Sequence, residues 1–372
     1  MRRSVLMQPD PRPAGAAVMV PVAAPAPAPG CNCAVCPFWI DNPAAIEPVC
    51  SGTNKDCAYC ACVAVSCERC PIRCGSRTDI GAWMADVGGT LAFDDIDLAW
   101  SEIPELPAMV PQVDGHDTAA FDTDLSWPAY AVGLRRVFSP VTHTLMPKFG
   151  EAESARTALG LSESQLAVLV GYGEDPLVEA FWTRRAELIP ELVAQRWDLI
   201  LAPNFSMYGN QPRAEHLLSF RRNLQIAQEL CDAGANAVPN IYWYRKEDLD
   251  RYLAWAADTA PAAIAINLQT FRTTTDWETM ALPGLSYLGA GLAESCRVIV
   301  CGTSRTDRLD DLGRIFGTRL HCVIQNAQQY ARHGAVMTPE GRQDVHAHLA
   351  DAFAANVRHY DNLIHQARNN HE

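Results

Sequence analysis

The sequence lacks several things, and each absence closes off a class of protein. No apolar run approaches the ~20 residues of a membrane-spanning helix, so no span is expected, and the chain reads as a cytoplasmic protein with no membrane partner. No Gly-x-Gly-x-x-Gly follows a strand-like run, which removes the usual dinucleotide-binding turn. No Gly-x-Ser-x-Gly elbow is present, which speaks against a serine hydrolase of the α/β type. Positive charge is in short supply: 30 Lys+Arg face 43 Asp+Glu, a formal charge of -13. Bulk electrostatics will therefore not hold a nucleic acid, and any such contact needs a local basic patch. Arginines do occur in pairs, at Arg135-Arg136, Arg184-Arg185 and Arg221-Arg222, and the simplest expectation for each pair is a solvated helix face. Histidine is missing altogether between residues 31 and 74, where most of the cysteine lies.

Cysteine is the residue in excess. Of 14 cysteines, the dense block is Cys31, Cys33, Cys36, Cys50, Cys57, Cys60, Cys62, Cys67, Cys70 and Cys74. A disulfide framework would suit a small secreted domain, but the long chain behind this block needs no staples. The spacings Cys31-x-Cys33-x-x-Cys36, Cys57-x-x-Cys60 and Cys67-x-x-Cys70 put thiolates on tight turns, where two sulfurs can converge on one ion. All-thiolate donors fit a [4Fe–4S] iron–sulfur cluster or zinc, and the prolines after Cys36 and Cys70 lean toward the cluster. Cys57, Cys60, Cys67 and Cys70 form the first expected site, and Cys31, Cys33, Cys36 and Cys50 a second. The remaining four, Cys231, Cys296, Cys301 and Cys322, sit among apolar residues and read as small buried hydrophobes.

The expected organisation is a disordered Ala/Pro-rich tail over residues 1–30, a Cys-rich metal-binding module over 31–78, an α/β barrel-like domain over 79–338, and a C-terminal helix over 339–372. Arg2-Arg3 resembles the start of a twin-arginine export signal, but Pro9, Pro11 and Pro13 interrupt the segment that should be apolar. Beyond the cysteines, short continuous apolar runs alternate with amphipathic segments. Strands are expected at 167–170, 197–202, 237–243, 262–268, 297–302 and 320–325, with weaker ones at 90–93 and 131–137. Apolar runs of this kind belong to a parallel sheet buried on both faces. Eight β/α units predict a (β/α)8 barrel-like parallel sheet, with an open doubly wound sheet as the alternative.

In either architecture ligands bind past the C-terminal ends of the strands. Amides recur there: Asn204, Asn240, Asn267, Gln269, Gln325 and Asn326. Amides both donate and accept, which suits a neutral polar ligand such as a base or a sugar, although single asparagines are also ordinary turn residues. Glu174 and Asp175 are the best-placed carboxylates for acid–base work, unless they only open the helix that begins at Asp175-Pro176. The loop 203–213 adds Ser206, Tyr208 and Arg213 as binding candidates.

Ala202-Pro-Asn-Phe-Ser-Met-Tyr208, Arg221-Arg222 and Ala233-Gly-Ala-Asn-Ala-Val-Pro-Asn-Ile-Tyr-Trp243 resemble a domain of unknown function from bacterial, phage and mobile-element proteins, over residues ~190–335. That resemblance implies the fold and no activity. The Val238-Pro-Asn240 strand, the Gly289-x-Gly291 loop and Gln325-Asn-Ala-Gln-Gln-Tyr-Ala-Arg332 are similar to the second half of tRNA-guanine transglycosylase barrels. Those enzymes also carry a Cys-x-Cys-x-x-Cys zinc site, but after the barrel and completed by histidine. The resulting expectation is a metal-containing barrel enzyme acting on a nucleobase, nucleoside or nucleic acid. The alternative is a non-catalytic nucleic-acid- or protein-binding protein with a structural metal knuckle. The sequence leaves the oligomeric state open.

Overall fold

The structure is a computed structural model that describes residues 80–98, 103–114, 126–207 and 213–369. The 1–30 tail, the whole 31–78 module with its ten cysteines from Cys31 to Cys74, and Tyr208 lie outside the described residues.

The chain divides into two compact units. The larger, Ile96–Asn204 with Ile226–Glu372, contains a sheet of parallel strands: β1 Met109–Val113, β2 Ala129–Gly133, β3 Leu166–Val170, β4 Leu199–Leu201, β5 Ala237–Val238, β6 Asn240–Ile241, β7 Ala263–Asn267, β8 Arg297–Cys301 and β9 Leu320–Ile324. Their order is β5-β4-β3-β2-β1-β9-β8-β7-β6. The two ends of that list, β5 and β6, are separated in the chain by Pro239 alone. They are the halves of one stave that pairs with β4 on one side and β7 on the other. Proline has no N–H to give to a ladder. The ladder changes sides at this point: Ala202 N donates to Val238 O at 2.9 Å, and Ala265 N donates to Pro239 O at 2.9 Å. The strands therefore make eight staves, closed by β1 against β9, and the fold is a (β/α)8-like barrel.

Alternation along each strand fills the interior. Val110, Ala129, Ala131, Val168, Val170, Leu199, Leu201, Val238, Ala263, Ala265, Ile299, Cys301 and Val323 belong to one buried cluster, and within a strand they are spaced by two. The strands enter this ring on fixed anchors. Asp198 holds Arg156 and accepts from Ala167 N at 2.8 Å, which ties the starts of β3 and β4 together. Helices follow the strands, with local signals that match their boundaries. Ser154 caps the helix Ala155–Leu159, and Gly160 ends it in the left-handed region at φ 71°. Asp248 accepts from Tyr244 N and Arg245 N, both at 2.9 Å, and so opens the helix Lys246–Thr259.

Three expectations need correction. Residues 90–93 form no strand, and the missing stave is β1. Pro111 inside β1 disguises it, because proline argues against a central strand; here it is the middle residue, where the pairing with β9 ends at Ile324 and the pairing with β2 begins at Gln112. Of the segment 131–137, only the part up to Gly133 is strand, and Leu134–Val137 turns into a helix. The C-terminal helix does not begin near Pro339. A hairpin of Ala335–Thr338 and Gly341–Asp344 comes first, and the helix runs Leu349–Asn369.

The smaller unit takes in residues up to Asp95 and Phe205–Gln225. Within it the Arg221-Arg222 pair is buried, which overturns the solvated-face expectation for these two. Arg221 donates to Val87 O at 3.1 Å and Ala92 O at 2.7 Å and forms an ion pair with Asp95. Arg222 stacks on the Phe205 ring, its guanidinium carbon 3.8 Å from the centroid. Within the 90–93 segment, Ala92 O serves a buried guanidinium instead of a β ladder. No described helix is long and apolar enough to cross a membrane.

Candidate active site at the barrel mouth

Extending the inward alternation by one step reaches the C-terminal mouth. Gln112 follows Val110 by two positions, Asn240 follows Val238 and Asn267 follows Ala265. Tyr172 packs against the interior cluster from the end of β3. Its hydroxyl donates to Asn240 Oδ1 at 2.5 Å, and Asn240 Nδ2 donates to Ala202 O at 2.6 Å. Asn240 is almost wholly buried. Burial pushes the Tyr172 phenol well above its usual 10, with the neighbouring Cys301 adding to the shift, so the hydroxyl stays a neutral donor. Burial also holds the Cys301 thiol well above its ordinary value, so it is no nucleophile at neutral pH. Two past Cys301, Thr303 has a buried hydroxyl with no hydrogen-bond partner.

Gly171 allows this corner to close. A Cβ there would lie 2.4 Å from Leu201 O and 2.6 Å from Pro203 N, so the chain leaving β3 runs directly against the chain leaving β4.

One carboxylate absent from the expected set stands at the end of β1. Asp114 is buried, and its Oδ2 meets Arg136 at 2.6 Å and Arg332 at 3.4 Å. Its backbone N–H donates to Gln328 Oε1 at 2.8 Å. Asp114 Oδ1 and Gln328 Nε2, an acceptor and a donor, are both buried without a partner. The signal for Asp114 was in the sequence, as the first charged residue after the run Met109–Val113, but recognising it required seeing β1 through Pro111.

The expected residues divide. Asn240 and Asn267 lie on inward-facing positions, although Asn267 Oδ1 also accepts from Gln269 N at 3.1 Å in a local turn. Gln325 stands one residue past β9 and is exposed, as is Gln269. Asn326 donates to Ser304 Oγ at 2.6 Å. Asn204 is partly buried beyond β4, whereas Ser206 belongs to the smaller unit, where Arg213 opens the helix Arg213–Asp232. Glu174 is exposed and pairs with Arg135 at 3.0 Å, and Asp175 is the first residue of the helix Asp175–Thr183. Neither carboxylate is enclosed as Asp114 is.

The scattered cysteines are inert, as their setting led one to expect. All four are free and buried, and burial raises the thiols of Cys231 to about 11 and of Cys296 and Cys322 to about 12. Among the described residues no three His, Cys, Asp or Glu side chains gather as a metal site. No protein-family model matches the chain, and no curated protein matches it.

Proposed function

We propose that the barrel mouth binds a nucleobase, nucleoside or nucleotide unit and that the chain is an enzyme acting on it. The observation that carries this reading is the buried Tyr172–Asn240 pair. Asn240 spends one N–H and one lone pair on its two bonds, which leaves one of each for a ligand edge. Gln112 and Asn267 add further donors and acceptors without adding charge. That inventory suits a ring with alternating N–H and C=O groups and would reject an apolar one. Asp114, held between Arg136 and Arg332, is the carboxylate we assign to proton transfer, ahead of Glu174 and Asp175.

The cysteines of the 31–74 block are proposed to hold an iron–sulfur cluster or zinc, because a thiolate-only donor set fits both. The binding-protein alternative needs a free basic patch, and Arg135 and Arg136 are each paired with a carboxylate. Calorimetry of the full chain against free bases, nucleosides and nucleoside monophosphates tests the main reading. We expect saturable binding that Asn240→Ala weakens by about tenfold or more. If no compound of the three classes binds, the reading is wrong.

A further inference from the structure

A cavity lies past the end of β6. It has a volume of about 290 Å³ and opens between the helix Lys246–Thr259 and the segment Thr274–Gly291. Its walls are apolar and aromatic, with Trp243, Leu249, Met280 and Tyr287 among them, and two cations, Arg245 and Lys246, belong to its lining.

The wall has a specific construction. Trp277–Ala281 is a turn of π-helix, a rare form that recurs at functional sites. It is held from behind, since Trp277 Nε1 donates to Asp311 at 2.8 Å and Arg308 lies over the Trp277 ring at 4.7 Å. Trp243 Nε1 reaches Met280 O at 3.4 Å. The indole fits only because residue 284 is glycine: a Cβ there would stand 2.2 Å from Trp243 Nε1. Trp243 is fixed on its other side by Phe271, with centroids 6.0 Å apart. Lys246 lies 4.5 Å from the Tyr287 ring centroid and shares Asp250 with the Tyr287 hydroxyl, so its ammonium has a fixed place. Asp248 takes the amides of Tyr244 and Arg245, the two residues before the helix.

We infer that this cavity is a second ligand site, for a small planar aromatic molecule carrying one negative group. The volume is close to the lower end for small-molecule pockets, enough for one ring or a fused pair. Aromatic edges favour a ring over an aliphatic body. The lining carries two cations and no carboxylate, with Asp248 and Asp250 outside it, and in a chain with a formal charge of -13 this favours an anion at this spot over its surroundings.

The test is calorimetric titration of the full chain with indole-3-carboxylate, neutral indole and cyclohexanecarboxylate. We expect the first to bind saturably and the other two about tenfold more weakly, since one charge-assisted contact is worth about that factor. Lys246→Gln should weaken indole-3-carboxylate about tenfold and leave indole unchanged. Thr279→Trp, which fills the opening from an exposed position, should abolish binding of all three. Asn240→Ala should change nothing, which separates this site from the barrel mouth. The inference is overturned if indole-3-carboxylate gives no saturable heat, if either control ligand binds as well, if Lys246→Gln or Thr279→Trp binds normally, or if Asn240→Ala abolishes binding.

Discussion

The Tyr172 hydroxyl and the Asn240 carboxamide are joined at 2.5 Å across 68 positions of sequence, the one from the end of β3 and the other from β6. Replacing Tyr172 by Phe keeps the ring and removes the donor. Asn240 Oδ1 is then buried without it, a loss of about 1–2 kcal/mol. Urea unfolding should show that drop, and ligand binding at the mouth should fall with it. A variant as stable as the parent would mean that the pair is not formed in solution.

Asp114→Asn keeps the shape at the end of β1 and removes the charge that Arg136 and Arg332 share. If Asp114 moves a proton, turnover should fall by about a hundredfold or more while unfolding shifts little. Steady-state kinetics on whichever nucleoside-type substrate is found would measure this. Glu174→Gln, at an exposed ion pair, should change turnover by less than about twofold.

At Gly171 the prediction is structural. An alanine methyl would press on backbone atoms of Leu201 and Pro203, which have no rotamer to change. We expect a loss of about 3 kcal/mol, seen as a lower thermal midpoint or as failure to accumulate folded protein. An unchanged midpoint would show that β3 and β4 can separate at their ends.

His321 gives a pH dependence with a definite sign. It is buried on β9, its Nδ1 lies 3.0 Å from Pro107 O, and burial lowers it from the ordinary 6.5 to about 4. Between those values the unfolded chain takes up a proton that the folded one refuses. Its contribution is therefore intact above pH 6.5 and is lost as pH falls toward 4. Between pH 7 and pH 5 the loss should be about 2 kcal/mol. Urea midpoints at the two pH values would report it, and His321→Gln should flatten that part of the slope.

Metal content of protein purified without oxygen tests the cysteine block. Iron with matching sulfide and a broad absorption near ~400 nm would support the cluster. Zinc without colour would make the module structural.

The barrel was legible because its staves are continuous apolar runs between amphipathic segments, as at 166–170, 297–301 and 320–324. β1 was not, because a proline within five residues outweighs two valines and a methionine in any local reading. The amides were legible as a series, but which of them face inward depends on strand parity, and one misplaced boundary reverses parity. Asp114 was legible only once β1 is seen through Pro111, and the Trp243 cavity was not legible at all. Each brings together segments far apart in the chain, and the fit of Gly284 against an indole has no signature in composition or spacing.

Pro239 divides a stave without opening the ring. An open parallel sheet ends in two rows of bare amides and carbonyls that invite another chain to add a strand. Here the outermost strands, β5 and β6, are the two halves of one stave that β4 pairs on one side and β7 on the other. Growth by strand addition has no place to start on this sheet. The missing rung makes the 237–241 segment a seam, where amide exchange should begin if the ring loosens before it unfolds.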